Sequence, residues 1–530
     1  MQRRLLIGTF FVVLGLFLLT TQNSKLGFEP GHHGWVSSHI LAISQHAYAH
    51  NGFVGYAVQS RDDSGAVEYH YFDRYPVPFS AGLHLLLQSN PNAFDQIYLA
   101  RQVMNLIFLA NIIVAYLLLR RLTGSVLIAL SAALLAFSGY YFMFFRDMVH
   151  FDQPAVLGVT LLLYGIAIHH QTGRAWPLYA ATIAALSMGR AYPAMAVLGV
   201  WLLLEAWHMA RAASWRLRAA TAVLYRSHVP RAFLLGLILS SSYLAYNVVA
   251  EASIRDVKLT ETSIVGSALR RIGASESFAQ KERSTPLTWS AHARTQAERL
   301  VVGAIPYPFW VPDEYKRGIE YLVRRAGPLA IGLALAVGAG LIGGFVLRQS
   351  SAGRRLWLLV VLSGFAWLVP MKNLAIPHQY TTVYHLGLFL TLFVALISLL
   401  SPRYRLYVLV ASAVIFVSST LSVNAIHDAT GSRVNPVTAD FQEIRTHLAP
   451  KANVFLFAPD ARRLDGSVAI VEGAPYAAAF YLPDQYFSTL AMAEYVVARV
   501  ADGPCPPTVT CELLTPRNES IVLSRIRRPE

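Results

Sequence analysis

Apolar runs recur along nearly the whole chain, at 5–20, 103–119, 126–142, 155–168, 178–188, 194–207, 233–249, 328–346, 356–369, 383–400 and 407–423. With 55% hydrophobic and only 14% charged residues, so many runs are counted against a bilayer rather than an aqueous core. The reading is a polytopic α-helical membrane protein of about eleven spans. Several runs, 178–188 most of all, are shorter than the roughly 20 residues that a perpendicular helix needs.

Lys and Arg give the orientation, because short cytoplasmic loops retain them. Arg3, Arg4, Arg120, Arg121, Arg174, the cluster from Arg211 to Arg231, Arg348, Arg354, Arg355, Arg403 and Arg405 fall in alternate loops, on the side of the N-terminus. That side is expected to be the cytoplasm. Much of the +14 net charge is thereby a topology signal, and no nucleic-acid partner is expected. The first run carries no small-residue cleavage site behind it, which favours a retained anchor.

The expected division is a membrane domain, 1–423, with outward loops 22–101 and 250–325, and a small outward α/β domain, 424–530. In that domain 437–448 reads as a helix, 453–458, 495–499 and 520–525 as strands, and 477–481 as ambiguous. Its Cys505 and Cys511 are the only cysteines, and an oxidising compartment is consistent with a disulfide between them. In the first loop 36–51 holds no Gly or Pro, and His39, Ile43, His46 and His50 share one helical face, as in a helix lying on the membrane surface. In the second loop 263–271 and 289–302 read as helices, followed by proline-interrupted aromatics at 305–312 that suit either an interfacial anchor or an amphiphile cleft.

Three outward clusters carry chemistry. Glu29 beside His32 and His33 offers a general base at a membrane exit, or simply a Pro30-Gly31 turn whose histidines cap the next helix. Arg146, Asp147, His150 and Asp152 lie within seven residues; Asp152 before Pro154 suits a helix N-cap, but the cluster holds more ionisable groups than a cap requires. Lys372, His378 and Tyr380, with Tyr384-His385 behind them, suit a lipid-linked phosphate, whose charge needs a cation and whose tail needs hydrocarbon; the alternative is snorkelling of Lys372 to the headgroups. Asp73, in an aromatic stretch of the first loop, joins Arg146, Lys372, His378 and Tyr380 as a substrate-binding candidate. Seven of the 17 histidines lie between His32 and His84, and His39, His46 and His50 offer three ligands on one face. Neither a companion cysteine nor an HExxH motif is present, so no metal ligand is assigned, and a divalent metal stays open as a cofactor.

In this order the clusters resemble the GT-C superfamily of glycosyltransferases that use polyprenyl-phosphate sugars, most nearly the aminoarabinose-transferase and protein-mannosyltransferase families. The resemblance rests on Glu29 with His32-His33-Gly34-Trp35, Tyr75-Pro76-Val77-Pro78 where relatives carry a His-Pro-Pro run, Arg146 with Asp152-Gln153-Pro154, and His378-Gln379-Tyr380. Where many relatives place an Asp-Glu pair, this chain has His32-His33, so the base is Glu29, a histidine or Asp152. The resemblance implies a multi-pass protein of the bacterial inner membrane, N-terminus cytoplasmic and C-terminus outside. It also implies transfer of a sugar, with inversion, from a polyprenyl-phosphate donor to an extracytoplasmic acceptor that is a glycan, lipid or protein. Two other readings share the many spans: a flippase for a lipid-linked saccharide, which needs polar residues through the bilayer centre, and an O-antigen-type polymerase or ligase.

Overall fold

The structure is a computed structural model that describes residues 27–28, 32–46, 55–71, 77–90, 92–188, 191–212, 227–253, 272, 288–307, 318–376, 378–457 and 476–528, with residues 8, 9, 12, 13, 15, 16 and 19 of the first run. The first loop forms helix α1 (His32–Gln45), strands β1 (Tyr56–Arg61) and β2 (Val67–Tyr71), and helix α2 (Val77–Gln88). Helices α3 (Ala93–Thr123), α4 (Val126–Phe137), α5 (Tyr140–Phe144), α6 (Asp152–Thr172), α7 (Trp176–Ser187), α8 (Ala191–Ala212) and α9 (His228–Ser253) follow. Next come α10 (Trp289–Ala304), α11 (Gly318–Leu347), α12 (Ser351–Ala366), α13 (Lys372–Ala375), a 3₁₀ helix (Gln379–His385), α14 (Leu386–Ser398) and α15 (Pro402–His447). The chain ends in β3 (Asn453–Phe457), α16 (Tyr476–Tyr481), β4 (Tyr486–Ser488), β5 (Tyr495–Arg499), β6 (Thr510–Leu513) and β7 (Ile521–Arg527).

Among the described residues 7 helices are long and apolar enough to cross a bilayer. The expected runs 126–142, 178–188 and 356–369 appear as helices of 12, 12 and 16 residues. Local chemistry sets the hairpins between them. Asn92 starts α3 by accepting from the amides of Phe94 (2.8 Å) and Asp95 (3.3 Å), relieving donors that a helix start leaves unpaired. Gly124, at φ 66°, ends α3, a conformation that costs a residue with a Cβ, and Ser125 at once caps α4. Gln171 Nε2 donates to the Arg121 carbonyl (3.3 Å), and Arg355 pairs with Glu205 at 2.9 Å. These contacts join the basic last turn of α3 to the end of α6, and the start of α12 to α8.

A 7-stranded sheet runs in the order β2-β1-β4-β3-β5-β7-β6. Two of its strands come from the first loop, where the sequence predicts no strand. β1 lies parallel to β4, with Ser60 opposite Phe487 and Arg61 opposite Ser488. Arg61 fastens the junction: its Nη1 donates to Asn453 Oδ1 at 3.1 Å and its guanidinium lies 4.3 Å above the Tyr486 ring. The expected strand 495–499 is β5, 453–458 is β3 within one residue, and 477–481 resolves as helix α16. Cys505 and Cys511 form a disulfide.

Two expectations meet a different geometry. No break falls at 423/424, because α15 continues as one helix to His447 and carries the sheet on its far end. The helix expected on the membrane surface is α1, starting earlier, and it is enclosed instead: His39 is 3% and Ile43 2% exposed, since α2 and α16 pack over it. Phe28 joins this contact, its ring 5.3 Å from Phe480 and 5.6 Å from Tyr481.

Candidate active site

The polar turn 145–151 links α5 to α6, and its fold follows from the aromatic block in front of it. Tyr140 stacks on Tyr307 with centroids 5.1 Å apart, and Tyr140 N donates to the Ile305 carbonyl (2.9 Å) while Tyr307 N donates to that of Ser138 (2.7 Å). The end of α10 is thus clipped to the start of α5. A Cβ on Gly139 would fall 2.4 Å from the Gly303 carbonyl oxygen, so this approach requires glycine. With the aromatics packed inward, the turn carries Arg146, Asp147, His150 and Asp152 into the protein, all 3% exposed or less.

Asp147 is the centre of the first charged group. His33 Nε2 lies 3.4 Å from its Oδ1 and His427 Nδ1 3.5 Å from its Oδ2, so α1 and α15 grip the carboxylate from opposite sides. Burial opposes its charge, but the imidazoles of His427 and His33 and the Arg101 guanidinium outweigh that and hold its pKa well below the usual carboxylate range. Arg146, beside it, donates from Nη2 to Asn424 Oδ1 at 2.6 Å. Asn424 and His427 stand three residues apart on α15, one helical face that serves both members of the Arg146-Asp147 pair.

Asp152 is the centre of the second. It is the first residue of α6, with Phe151 in the capping position expected for it and its own N–H donating to His150 Nδ1 at 3.3 Å. Its carboxylate turns instead to two side chains: Tyr384 donates its hydroxyl to Oδ1 at 2.5 Å, and His150 Nδ1 lies 2.9 Å from Oδ2. The His150 ring sits 4.9 Å from that of Tyr380, which stacks in turn on His378 at 5.2 Å and 29°. Phe145 separates the two groups, stacked on His33 at 6.2 Å and set edge-on to Tyr380 at 6.2 Å.

Helix α10 braces the segment that carries Tyr380 and Tyr384. Arg299 donates to the carbonyls of Ala375, Ile376 (2.8 Å) and His378 (3.2 Å), and Gln296 Oε1 meets His385 Nε2 at 3.0 Å. Lys372 lies over the Trp289 ring, 5.0 Å from its centroid. In front of α1, Gly27 N donates to Asn435 Oδ1 (3.0 Å) and its carbonyl accepts from Arg101 Nη2 (3.1 Å), anchoring the chain two residues before Glu29.

A crystal structure of ArnT from Cupriavidus metallidurans bound to undecaprenyl phosphate superposes over 97% of this chain and 97% of that one, with TM-score 0.59 and 12% sequence identity. The chain has the ArnT fold. ArnT from the same organism in the apo state covers 99% of this chain and 98% of its own, with TM-score 0.43 and 14% identity. No protein-family profile matches the sequence, and no curated protein does.

Within this ArnT-like fold the residues singled out in the sequence divide by place. His33 reaches Asp147, while Asp152, Tyr380 and His378 share the second group. Arg146 is turned toward α15 rather than toward His150, beside a small cavity lined by Val13, Asn105, Phe108, Ile112, Phe416 and Thr420. Glu29, Asp73, His50 and the helix expected at 263–271 lie outside the described residues, as does the side chain of His32, whose backbone begins α1. His46 stacks on Tyr56 at 4.2 Å, and burial, offset in part by Asp484, lowers its pKa to about 4. It is a half-buried histidine, neutral at pH 7. Among the described residues no set of three His, Cys, Asp or Glu side chains converges on a metal position; the imidazoles flanking Asp147 address opposite oxygens. The sequence reading named Asp147, His150 and Tyr384 only as members of their clusters, and it did not single out Asn424, His427 and Arg299. For Asp147 and His150 the polar run was a signal; for Asn424 and His427 only their shared helical face was.

Proposed function

We propose that this chain is a membrane glycosyltransferase of the GT-C type, moving a sugar from a polyprenyl-phosphate carrier to an extracytoplasmic acceptor. One observation carries the reading: a fold shared end to end with a protein solved with undecaprenyl phosphate bound, combined with ionisable side chains gathered where the turns after α5 and α13 meet α1 and α15. Such groups at a span end are costly unless they do chemistry.

In the proposed step an acceptor hydroxyl or amine attacks the anomeric carbon. The carbon–oxygen bond to the phosphate breaks with its electron pair going to the phosphate oxygen, and the attacking group gives its proton to a base. Inversion at that carbon follows from a single displacement. Glu29 is the first candidate base, two residues after the anchored Gly27; His32 and His33 are the alternatives, and Asp147 holds the His33 ring. Asp152, with both oxygens engaged, suits a supporting role better than proton abstraction. Lys372, His378 and Tyr380 are proposed to receive the donor's phosphate, while Arg146 and Asp73 remain substrate-binding candidates. The N-terminus is placed in the cytoplasm and the C-terminus outside a bacterial inner membrane, with the first run, α4, α7 and α12 completing eleven spans. A divalent metal stays open as a cofactor.

The test is to incubate purified protein with a panel of polyprenyl-phosphate sugars and candidate acceptors and to measure released polyprenyl phosphate. Acceptor-dependent release supports the reading. Binding of the lipid without release from any donor, together with its movement across a proteoliposome membrane, would replace a transferase by a flippase.

A further inference from the structure

Arg146 is a buried charge whose donors are only partly engaged. A guanidinium carries five N–H donors and keeps its proton inside a protein, so on burial its donors need acceptors and its charge needs a counter-charge. Arg146 is 1% exposed. Its Nη2 donates to Asn424 Oδ1 at 2.6 Å and its Nη1 reaches the Met143 sulfur at 4.0 Å, both neutral partners. Its Nε, fully buried, meets no acceptor among the described residues. Asp147, next in the chain, is turned elsewhere: its two oxygens take His33 and His427 as ion-pair contacts, at 3.4 and 3.5 Å.

The same guanidinium forms one wall of a cavity of about 20 Å³, set where the first apolar run, α3 and α15 meet. Val13, Phe108 and Phe416 line it with hydrocarbon, and Asn105 and Thr420 are the other polar side chains in its wall. Thr420 is 2% exposed, and its hydroxyl reaches the Met143 sulfur only at 3.9 Å, a weak contact that leaves it able to turn. Size limits the guest. A single water needs roughly 10–15 Å³ of such space, so the cavity takes one water-sized or monatomic ligand and is too small for a phosphate, a sugar or a prenyl chain.

We infer that this cavity is a site for one halide ion, chloride in the cell, held by the Arg146 guanidinium with the Thr420 hydroxyl as second donor. A water there would give Nε an acceptor and leave the charge without a counter-ion; a halide supplies both, through charge-assisted bonds in surroundings of low dielectric. The inference goes beyond the transferase reading and does not rest on it. The ion would fasten the turn 145–151 to the first run, α3 and α15 at once. Its effect therefore falls on how those segments hold together, as for any ligand that binds the folded state alone.

The probe is sodium chloride, exchanged for sodium gluconate at constant ionic strength, with the full-length protein in detergent and its melting temperature followed by tryptophan fluorescence. The melting temperature is expected to rise with chloride and saturate, and sodium bromide should reproduce the rise. Loss of one hydrogen bond to a charged group corresponds to about a ten- to hundredfold weaker complex. Thr420→Val, which keeps the shape and removes the hydroxyl, should move the midpoint of the rise to about tenfold higher chloride, and Arg146→Met should abolish the rise. Crystals grown in bromide should show one anomalous peak beside Arg146. Density at that place without anomalous signal would be a water and overturns the inference. So does a melting temperature that ignores chloride, a rise that survives in Arg146→Met, or an unmoved midpoint in Thr420→Val. Should Arg146→Met fail to fold, Thr420→Val and the bromide peak decide.

Discussion

Arg299 is the residue whose loss should most visibly separate scaffold from chemistry. It is 7% exposed and belongs to α10, yet its guanidinium donates to carbonyls of Ala375, Ile376 and His378 in the segment after α12. Those carbonyls end the short helix α13 and open the turn into the 3₁₀ helix, where the chain itself supplies few donors. Arg299→Met keeps most of the apolar stem and removes the fork. A hydrogen bond to a charged donor is worth roughly 1.5–3 kcal/mol, and a buried acceptor left without a donor costs roughly 1–3 kcal/mol. Three acceptors sharing one guanidinium do not add fully, so a local loss of about 3 kcal/mol is expected, equivalent to about a hundredfold in an opening equilibrium. The amides of Leu374, Ala375, Ile376 and Thr381, which bond within the same segment, report that equilibrium by hydrogen exchange. They should exchange about a hundredfold faster in Arg299→Met, while β5 and β7 at the other end keep parental rates. Arg299→Lys, retaining charge but not the fork, should fall between. Parental exchange of 371–381 in Arg299→Met would refute the bracing argument.

Three further outcomes are expected. Reporters fused after Glu530 and within 211–231 should read as outside and inside the cytoplasm respectively, from the alternation of basic loops; the reverse at either point removes the outward assignment. Unreduced peptides spanning 503–512 should weigh two hydrogens less than the dithiol form, and Cys505→Ser should destabilise the β6–β7 hairpin by about 2 kcal/mol, read as faster exchange in those strands. Because the pKa of Asp147 is held well below its ordinary value, its stabilising contribution is complete above about pH 4 and fades as pH falls further through the folded value; detergent melting curves should show this acid loss in the parent and lack it in Asp147→Asn.

How far the sequence could be read depends on whether the deciding interaction is local. The apolar runs needed only their own composition, and each of the ten runs from 103 onward overlaps a helix. The strands at 453–458 and 495–499 were legible because buried β-branched and aromatic runs bounded by polar residues have few other fates. The first-loop hairpin, β1 paired with β2 across the turn at 62–66, went unread although it is local; its join to β4, more than four hundred positions later in the chain, could not be read, because no periodicity announces such a partner. At 423/424, the place taken for a domain boundary, the helix itself gives no break. Composition changes there because the environment changes, but a helix leaving a membrane has no need to stop, and α15 continues.

The candidate site repeats this division at the scale of single side chains. Polar residues between apolar runs are expensive, so the run from Arg146 to Asp152 marked its own location. Which acid does what depends on partners that the run does not contain. Asp152 read as a helix cap from its distance to Pro154 and as a base candidate from the family resemblance; the structure sets one of its oxygens on His150 and the other on Tyr384, which arrives from beyond the α12–α13 turn. Asp147, adjacent to Arg146, invites the reading of a local ion pair; instead Arg146 turns to Asn424 and Asp147 is shared by His33 and His427. Since α1, the turn 145–151 and α15 all meet at that one buried carboxylate, its charge fixes how three distant stretches of chain approach each other. A protein whose acids are held this firmly has little freedom to use them as proton acceptors, which moves the search for the base to residues at the edge of the cluster, where the chain follows the anchored Gly27 into Glu29 and the start of α1.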